Sequence, residues 1–159
     1  MLRNVLLPVL AAFPLAAGAA NLSEQLTQKA VLNQNVVRQI AAAAEAEARR
    51  NNWNVSIAIV DEAGRLMYFT RMDDTPNSTV TVAQGKAEHA VNYRRDTKFH
   101  QEILEKGNAV VLGLPHSTPI EGGLRLLANG KVIGGIGVAG VQASQDAQIA
   151  RAGAMLLGD

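Results

Sequence analysis

The sequence predicts an α+β fold, in which an antiparallel sheet made of two β-hairpins has helices packed on it. Two observations indicate this class. Strand-like segments come in adjacent pairs, at residues 55–72 and 124–141, with helical patterns before, between and after them. Asn129 and Gly130 separate the later pair, and Asn-Gly between apolar runs is the strongest short hairpin signal. Because hairpin partners run antiparallel, we do not expect the alternating strand and helix order of a parallel sheet.

The first half of the chain predicts a helix followed by a hairpin. Over residues 30–50, apolar side chains recur at three- and four-residue steps among strong helix formers, and Asn51 and Asn52 end this helix. Residues 55–61 (VSIAIVD) are β-branched and almost continuously apolar, which is typical of a strand buried on both faces. A short turn leads into residues 65–72 (RLMYFTRM), the second strand of the hairpin.

The second half predicts two helices, a hairpin and a last helix. The central helix is predicted from Thr79 to Arg95 with Ser78 as its cap, and a shorter helix over residues 97–106 ends at Gly107. The second hairpin joins residues 124–128 (LRLLA) to residues 131–141 (KVIGGIGVAGV). A helix over residues 144–158, with Ser144 as its cap, completes the order.

Residues 1–20 have the pattern of a secretory signal peptide. One arginine precedes an apolar run at residues 5–17, which is too short to span a bilayer, and small residues form an A-x-A-like cleavage site. Pro8 and Pro14 would interrupt the alternative, a first helix of the domain. We therefore predict a signal peptide at residues 1–19, cleavage after residue 19 or 20, and one domain at residues 21–159 of a periplasmic or secreted protein.

Charge and cysteine content exclude several classes of partner. The chain has 15 basic and 14 acidic residues, and loss of Arg3 with the signal peptide leaves a neutral protein. Nucleic acids and anionic membrane surfaces bind net basic proteins, so we expect neither as a partner, and no stable membrane anchor. The absence of cysteine excludes disulfides, thiolate metal sites, a thiol nucleophile and a lipid anchor at the cleavage site.

Residues 135–140 (GIGVAG) match the G-x-G-x-x-G pattern of dinucleotide-binding proteins. That function requires a strand before the glycines, a helix that opens on them and a complete βαβ unit. Here the glycines lie in a hairpin strand and only one helix follows, so we reject the dinucleotide interpretation. Two explanations of the glycines stay open: close packing of the strand on a helix, or a flat backbone wall that a broad ligand or another subunit approaches.

Three separated blocks carry a resemblance to a known family. They are VSIAIVDEAGRLMYFTRMDDTP at residues 55–76, GKAEHAVNYRRDT at residues 85–97 and IEGGLRLLANGKVIGGIGVAGVQASQDAQIARAG at residues 120–153. The chain resembles the haem-binding GlcG/HbpS family, which is related to the C-terminal domain of PduO-type proteins. The resemblance implies a profilin-like or PAS-like α+β domain, assembly into dimers or larger homo-oligomers, and haem as the cofactor of some members.

The central helix carries two stripes of side chains at helical spacing. The predicted core stripe consists of Val80, Ala83, Ala87 and Val91. The second stripe consists of Val82, Lys86, His89 and Tyr93. It combines a cation, an imidazole and a phenol, which suits haem: a partner for propionates, a ligand for iron and an aromatic surface for the macrocycle. The alternative is an ordinary helix side that faces solvent or another subunit.

The resemblance adds further site residues. It implies Arg94 or Arg95 as a propionate partner and Thr97 as a haem contact, while a hydroxyl side chain is usual in the family at the position of His89. The ligand-binding candidates are Lys86, His89, Tyr93, Arg94, Arg95, Thr97, Gly137 and Gly140. His89 is the candidate iron ligand. His100 is a weaker one, because we expect Phe99 to face inward and His100 to face solvent.

From the sequence and the family resemblance, we predict an exported haem- or tetrapyrrole-binding protein that acts as a sensor, carrier or scavenger without enzymatic activity. No H-x-x-x-H or H-E-x-x-H spacing predicts a zinc site, and Ser117 next to His116 lacks the G-x-S-x-G elbow of a hydrolase. Two alternatives stay open. One is an accessory protein or enzyme that binds small hydroxy acids or aldehydes, which the family's association with glycolate and diol metabolism implies. The other is a structural oligomer without a ligand.

Overall fold

The computed structural model describes residues 22–158, and the predicted signal peptide lies outside these residues. The helices are α1 (Gln34–Arg50), α2 (Thr79–Asn92), α3 (Thr97–Glu105) and α4 (Ala143–Ala154). The strands are β1 (Ser56–Asp61), β2 (Leu66–Arg71), β3 (Gly123–Ala128) and β4 (Lys131–Ala139). Short 3-10 helices lie at Leu22–Gln25, Ala109–Gly113 and Met155–Leu157. The predicted order of a helix, a hairpin, two helices, a hairpin and a helix is confirmed.

The four strands form one antiparallel sheet in the order β2-β1-β4-β3. The two hairpins meet through their inner strands, so that Ser56 pairs with Ala139 and Asp61 pairs with Gly134. The α+β fold class is therefore confirmed. The GIGVAG motif begins in β4, between two antiparallel neighbours, which leaves no parallel βαβ unit to bind a dinucleotide.

Helices cover both faces of the sheet. On one face, α1 and α4 pack against each other and against the strands, and Ile57 and Ile59 of β1 enter the larger apolar core there. On the opposite face, α2 lies across β4 and β1, where Ala58 and Val60 enter a second, smaller core. The strict alternation along β1 confirms the prediction of a strand buried on both faces.

Several predicted helix ends are wrong by a few residues. Helix α1 begins at Gln34 because the Asn33 side chain accepts the Val36 N–H at 3.0 Å, a standard N-cap bond. The Ser78 side chain makes no cap bond, and α2 ends before Arg94, whose φ of 48° is left-handed. The last helix is capped at Gln142, whose backbone N–H bonds the Gln145 side chain at 3.2 Å, so Ser144 lies inside the first turn.

Glycines let α2 approach the sheet closely. A Cβ atom at Gly137 would lie 2.1 Å from the carbonyl oxygen of Ala83, and one at Gly135 would lie 2.5 Å from that of Ala87. Contacts this short with a backbone are sterically forbidden, so any side chain here would push α2 away. Of the two explanations for the glycines in this strand, close packing on a helix describes Gly135 and Gly137.

No helix within residues 22–158 is long and apolar enough to cross a membrane.

Candidate functional site

Two members of the second stripe of α2, Lys86 and His89, are buried rather than open to solvent. Lys86 is 1% exposed and His89 is 0% exposed. Two elements cover this side of the helix: α3 and the following segment at residues 114–120, in which the Pro115 carbonyl accepts the Tyr93 hydroxyl. The alternative of a helix side that faces solvent is therefore excluded for Lys86 and His89 in the single chain.

Lys86 forms a buried ion pair that joins α2 to α4. Its Nζ atom donates to Asp146 Oδ2 at 2.8 Å and to the Val138 carbonyl at 2.8 Å. The other carboxylate oxygen of Asp146 accepts the Val141 N–H at 3.2 Å. Burial lowers the pKa of Lys86 and raises the pKa of Asp146, and the charge of each partner opposes the shift of the other. These contacts occupy Lys86 with structural partners from two parts of the fold, α4 and β4.

His89 and His100 form a buried pair beside Tyr93. The Nδ1 atom of His89 accepts the Thr118 backbone N–H at 2.9 Å, and its Nε2 atom lies 2.9 Å from Nδ1 of His100. The Tyr93 ring is centred 4.9 Å from the His89 ring and 5.0 Å from the His100 ring. Both nitrogens of His89 are thus engaged inside the protein.

The prediction for α3 is wrong about which side chain faces inward. His100 is 8% exposed, whereas Phe99 is 47% exposed and carries the Arg95 guanidinium 5.3 Å from its ring centre. The physical reason is the partner that α2 offers: His100 gains a hydrogen bond to His89 and an aromatic contact with Tyr93. The prediction had placed the phenyl ring of Phe99 inside on the basis of hydrophobicity alone.

Both buried imidazoles favour the neutral form. Burial, followed by the neighbouring His100, lowers the pKa of His89 to about 4. Burial, followed by the Arg95 cation, lowers the pKa of His100. At neutral pH the pair therefore joins α2 and α3 as uncharged rings, each with one ring nitrogen that donates and one that accepts.

Thr97 has a partner within the fold, and Gly140 borders a surface cavity. The Thr97 hydroxyl accepts the Gly123 N–H at 2.9 Å, which fixes the start of α3 to β3, and Thr97 is fully buried. Gly140 lines a shallow surface cavity of about 260 Å³ together with Lys86 and Asp146. The predicted ligand-binding residues are thus divided between α2, the α2–α3 connection, the start of α3, and β4 with the residue that follows it.

A larger cavity of about 410 Å³ lies at the edge of the molecule. We call it the edge cavity. Its apolar lining consists of Ala30, Val91, Ala128, Val132 and Ile133. Its charged lining consists of Lys29, Glu62, Arg94 and Lys131.

Arg94 is the predicted site residue that reaches the edge cavity. Val91, which was assigned to the core stripe of α2, also lines it. Sequence reasoning missed the remaining lining residues because they come from the segment before α1, the β1–β2 turn and the second hairpin. Lys29 pairs with Glu62, but Arg94 and Lys131 form no ion pair within residues 22–158. Two unpaired cations therefore border an apolar surface.

The described residues provide little evidence for a metal site or for a serine nucleophile. No group of three or more His, Asp and Glu side chains in residues 22–158 is arranged to hold a metal ion. The Ser117 hydroxyl is buried without a hydrogen-bond partner, so no base activates it in the described part of the chain.

Comparisons with known proteins identify the family. The chain is 40% identical to Protein GlcG of Escherichia coli strain K12 over 110 residues, which cover 69% of this chain and 82% of that protein. It is 31% identical over 134 residues to an uncharacterized 15.0 kDa protein in the dhaT-dhaS intergenic region of Citrobacter freundii, covering 82% of this chain and 92% of that protein.

Solved structures agree in fold. A double mutant of HbpS from Streptomyces reticuli superimposes with a TM-score of 0.76 at 29% identity, covering 98% of this chain and all of that one. A complex of PduOC with heme superimposes with a TM-score of 0.74 at 26% identity, covering 79% of this chain and 94% of that one. Residues 32–155 match the sequence profile of the family described as "Haem degrading protein HbpS-like". The chain therefore belongs to the HbpS-like family.

Proposed function

We propose that the protein binds haem or a related tetrapyrrole in the edge cavity. The observation that carries this proposal is the pairing of an apolar surface, formed by Val91, Val132 and Ile133, with the unpaired cations Arg94 and Lys131. A tetrapyrrole presents a broad apolar ring with carboxylates at one edge, which matches this distribution of apolar and cationic groups.

The comparisons support the ligand class. PduOC was solved as a complex with heme, and the family description names haem. If haem is bound, it supplies the iron chemistry, and the chain supplies the apolar surface and the carboxylate partners. We propose binding rather than turnover, as expected of a sensor, carrier or scavenger.

Titration of the purified protein with hemin tests the proposal. We expect a shifted Soret band that saturates at a fixed stoichiometry and persists without bleaching. The double variant Arg94→Gln/Lys131→Gln should bind about tenfold more weakly, the effect of about 1.4 kcal/mol lost in charge-assisted contacts. Arg38→Gln is the matched control, because Arg38 is an exposed arginine on α1. Absence of a Soret shift would contradict haem binding, and steady bleaching of the Soret band would indicate that the protein degrades haem.

A second candidate ligand is a small hydroxy acid or aldehyde, since the same two unpaired cations suit a carboxylate. A thermal-shift screen separates the candidates, because a ligand that binds the folded state raises its melting temperature. Stabilisation by a small carboxylate and not by hemin favours this candidate. A purely structural oligomer predicts no stabilisation by either.

We further propose that the protein is exported and assembles into homo-oligomers. Export rests on the signal-peptide pattern, and fractionation of an expressing bacterium, followed by mass spectrometry of the mature chain, tests it. The mass should match a start at residue 20 or 21.

Assembly is supported by exposed apolar side chains on the 3-10 helix at Ala109–Gly113, where Val110 is 70% and Leu112 is 62% exposed.

A further inference from the structure

We infer that a tetrapyrrole bound to this protein is held without a histidine–iron bond, so that metal-free porphyrins are ligands as well as haem. The inference rests on the proposed function and specifies its ligand class. It follows from two independent observations: the hydrogen bonds of the buried histidine pair, and the side chains that line the edge cavity.

The first observation concerns His89. A backbone N–H can only donate, so the Nδ1 atom that accepts from Thr118 carries no proton. The neutral ring must then carry its proton on Nε2, the atom 2.9 Å from Nδ1 of His100. Neither ring nitrogen of this fully buried side chain has a free lone pair directed to a ligand.

The hydrogen bond to His89 also determines which ring nitrogen of His100 carries the proton. Because its Nδ1 atom accepts the proton of His89 Nε2, its own proton is on Nε2. Iron binds a deprotonated ring nitrogen, so Nε2 of His100 is blocked in this arrangement. If the proton of His100 were on its Nδ1 atom instead, His100 would donate to Nε2 of His89, and His89 would have to carry its own proton on Nδ1. That proton would then point at the Thr118 N–H.

The second observation is the chemistry of the edge cavity. Haem iron is held in proteins by histidine, cysteine, methionine or tyrosine side chains. None of these four residue types is among the described residues that line the edge cavity. His116, the third histidine, has an exposed side chain and lies with its Nδ1 atom 3.9 Å from Glu88, outside that lining. Affinity must then come from the apolar surface and from Arg94 and Lys131.

Calorimetric titration with hemin and with metal-free protoporphyrin IX tests the inference. We expect dissociation constants within about threefold of each other, because the iron makes no bond to the protein. A hemin affinity at least a hundredfold higher than that of the metal-free ring would overturn the inference and leave the proposed function intact. If neither ligand binds, the proposed function itself fails.

Spectroscopy provides a readout that does not depend on affinity. In the ferrous nitrosyl complex, an imidazole bound opposite to the nitric oxide adds hyperfine splitting to the electron paramagnetic resonance spectrum. We expect no such splitting in the wild-type protein, and unchanged hemin spectra in His100→Gln and His116→Ala. Imidazole splitting in the wild-type protein would refute the inference, and this readout needs no substitution at the fully buried His89.

Discussion

The Nζ atom of Lys86 lies 2.8 Å from Oδ2 of Asp146, although the two side chains are only 1% and 4% exposed. This pair connects the middle of α2 with the first turn of α4, at the end of the sheet where Val138 and Val141 also contribute bonds. Helices on opposite faces of the sheet are thereby joined by one contact between opposite charges.

Removal of one partner should be far more harmful than removal of both. In Asp146→Leu the Lys86 ammonium stays buried without its counter-charge, and we expect the free energy of unfolding to fall by about 3–5 kcal/mol. The double variant Lys86→Met/Asp146→Leu should recover much of this loss, because no charge is then left buried. Chemical denaturation of the four proteins of the double-mutant cycle measures both effects. Equal destabilisation of the single and double variants would contradict the interpretation.

Stability should fall as the solution becomes acidic. The pKa of His89 drops from 6.5 to about 4 on folding, so the unfolded chain takes up a proton in this interval and the folded protein does not. The contribution of His89 is therefore complete above about pH 6.5 and is lost as the pH decreases towards 4. Melting temperatures across this range should decline less steeply in His89→Gln than in wild type. Parallel profiles would show that His89 does not titrate as described.

Gly137→Ala should destabilise the protein by at least about 1–3 kcal/mol, because the new methyl group overlaps the α2 backbone near Ala83. Gly113→Ala is the matched control: a Cβ atom there has no neighbour within 4 Å, and its φ is not left-handed. We expect the control to melt within about one degree of wild type or higher, since alanine restricts the unfolded chain. Similar melting temperatures for the two variants would show that α2 does not lie this close to β4.

The proposed assembly can be tested on the 3-10 helix at Ala109–Gly113. Val110→Asp/Leu112→Asp places two charges on its exposed apolar surface and should convert an oligomer into a monomer, as measured by light scattering. Leu156→Asp, an exposed leucine beyond α4, is the control and should keep the wild-type mass. A wild-type protein that is already monomeric at micromolar concentration would contradict the proposal.

Local sequence patterns predicted the fold well because most elements are encoded by short-range signals. The Asn129-Gly130 turn and the apolar run of β1 specify two hairpins, and glycine-rich β4 was assigned correctly as a strand. The exclusion of βαβ units predicted an antiparallel sheet, but not that the hairpins meet through β1 and β4. Helical periodicity predicted the two stripes of α2 and correctly placed Ala83 and Ala87 on the core side.

The site was harder to predict because it depends on what covers each stripe. Periodicity groups Lys86 with His89 but contains no information about Asp146 or Thr118, which reach them from distant parts of the chain. The same limit explains the reversed orientation of Phe99 and His100. The edge cavity brings together four separate segments, and the one signal for it in the sequence was Arg94 at the end of the central helix.

The antiparallel contact between β1 and β4 has a consequence for biosynthesis. About half of the described residues lie between these inner strands, and the α1–α4 contact spans even more. A nascent polypeptide cannot close the sheet before β4 has left the ribosome, and such high contact order slows folding. The sheet therefore closes only after nearly all of the chain has been synthesised.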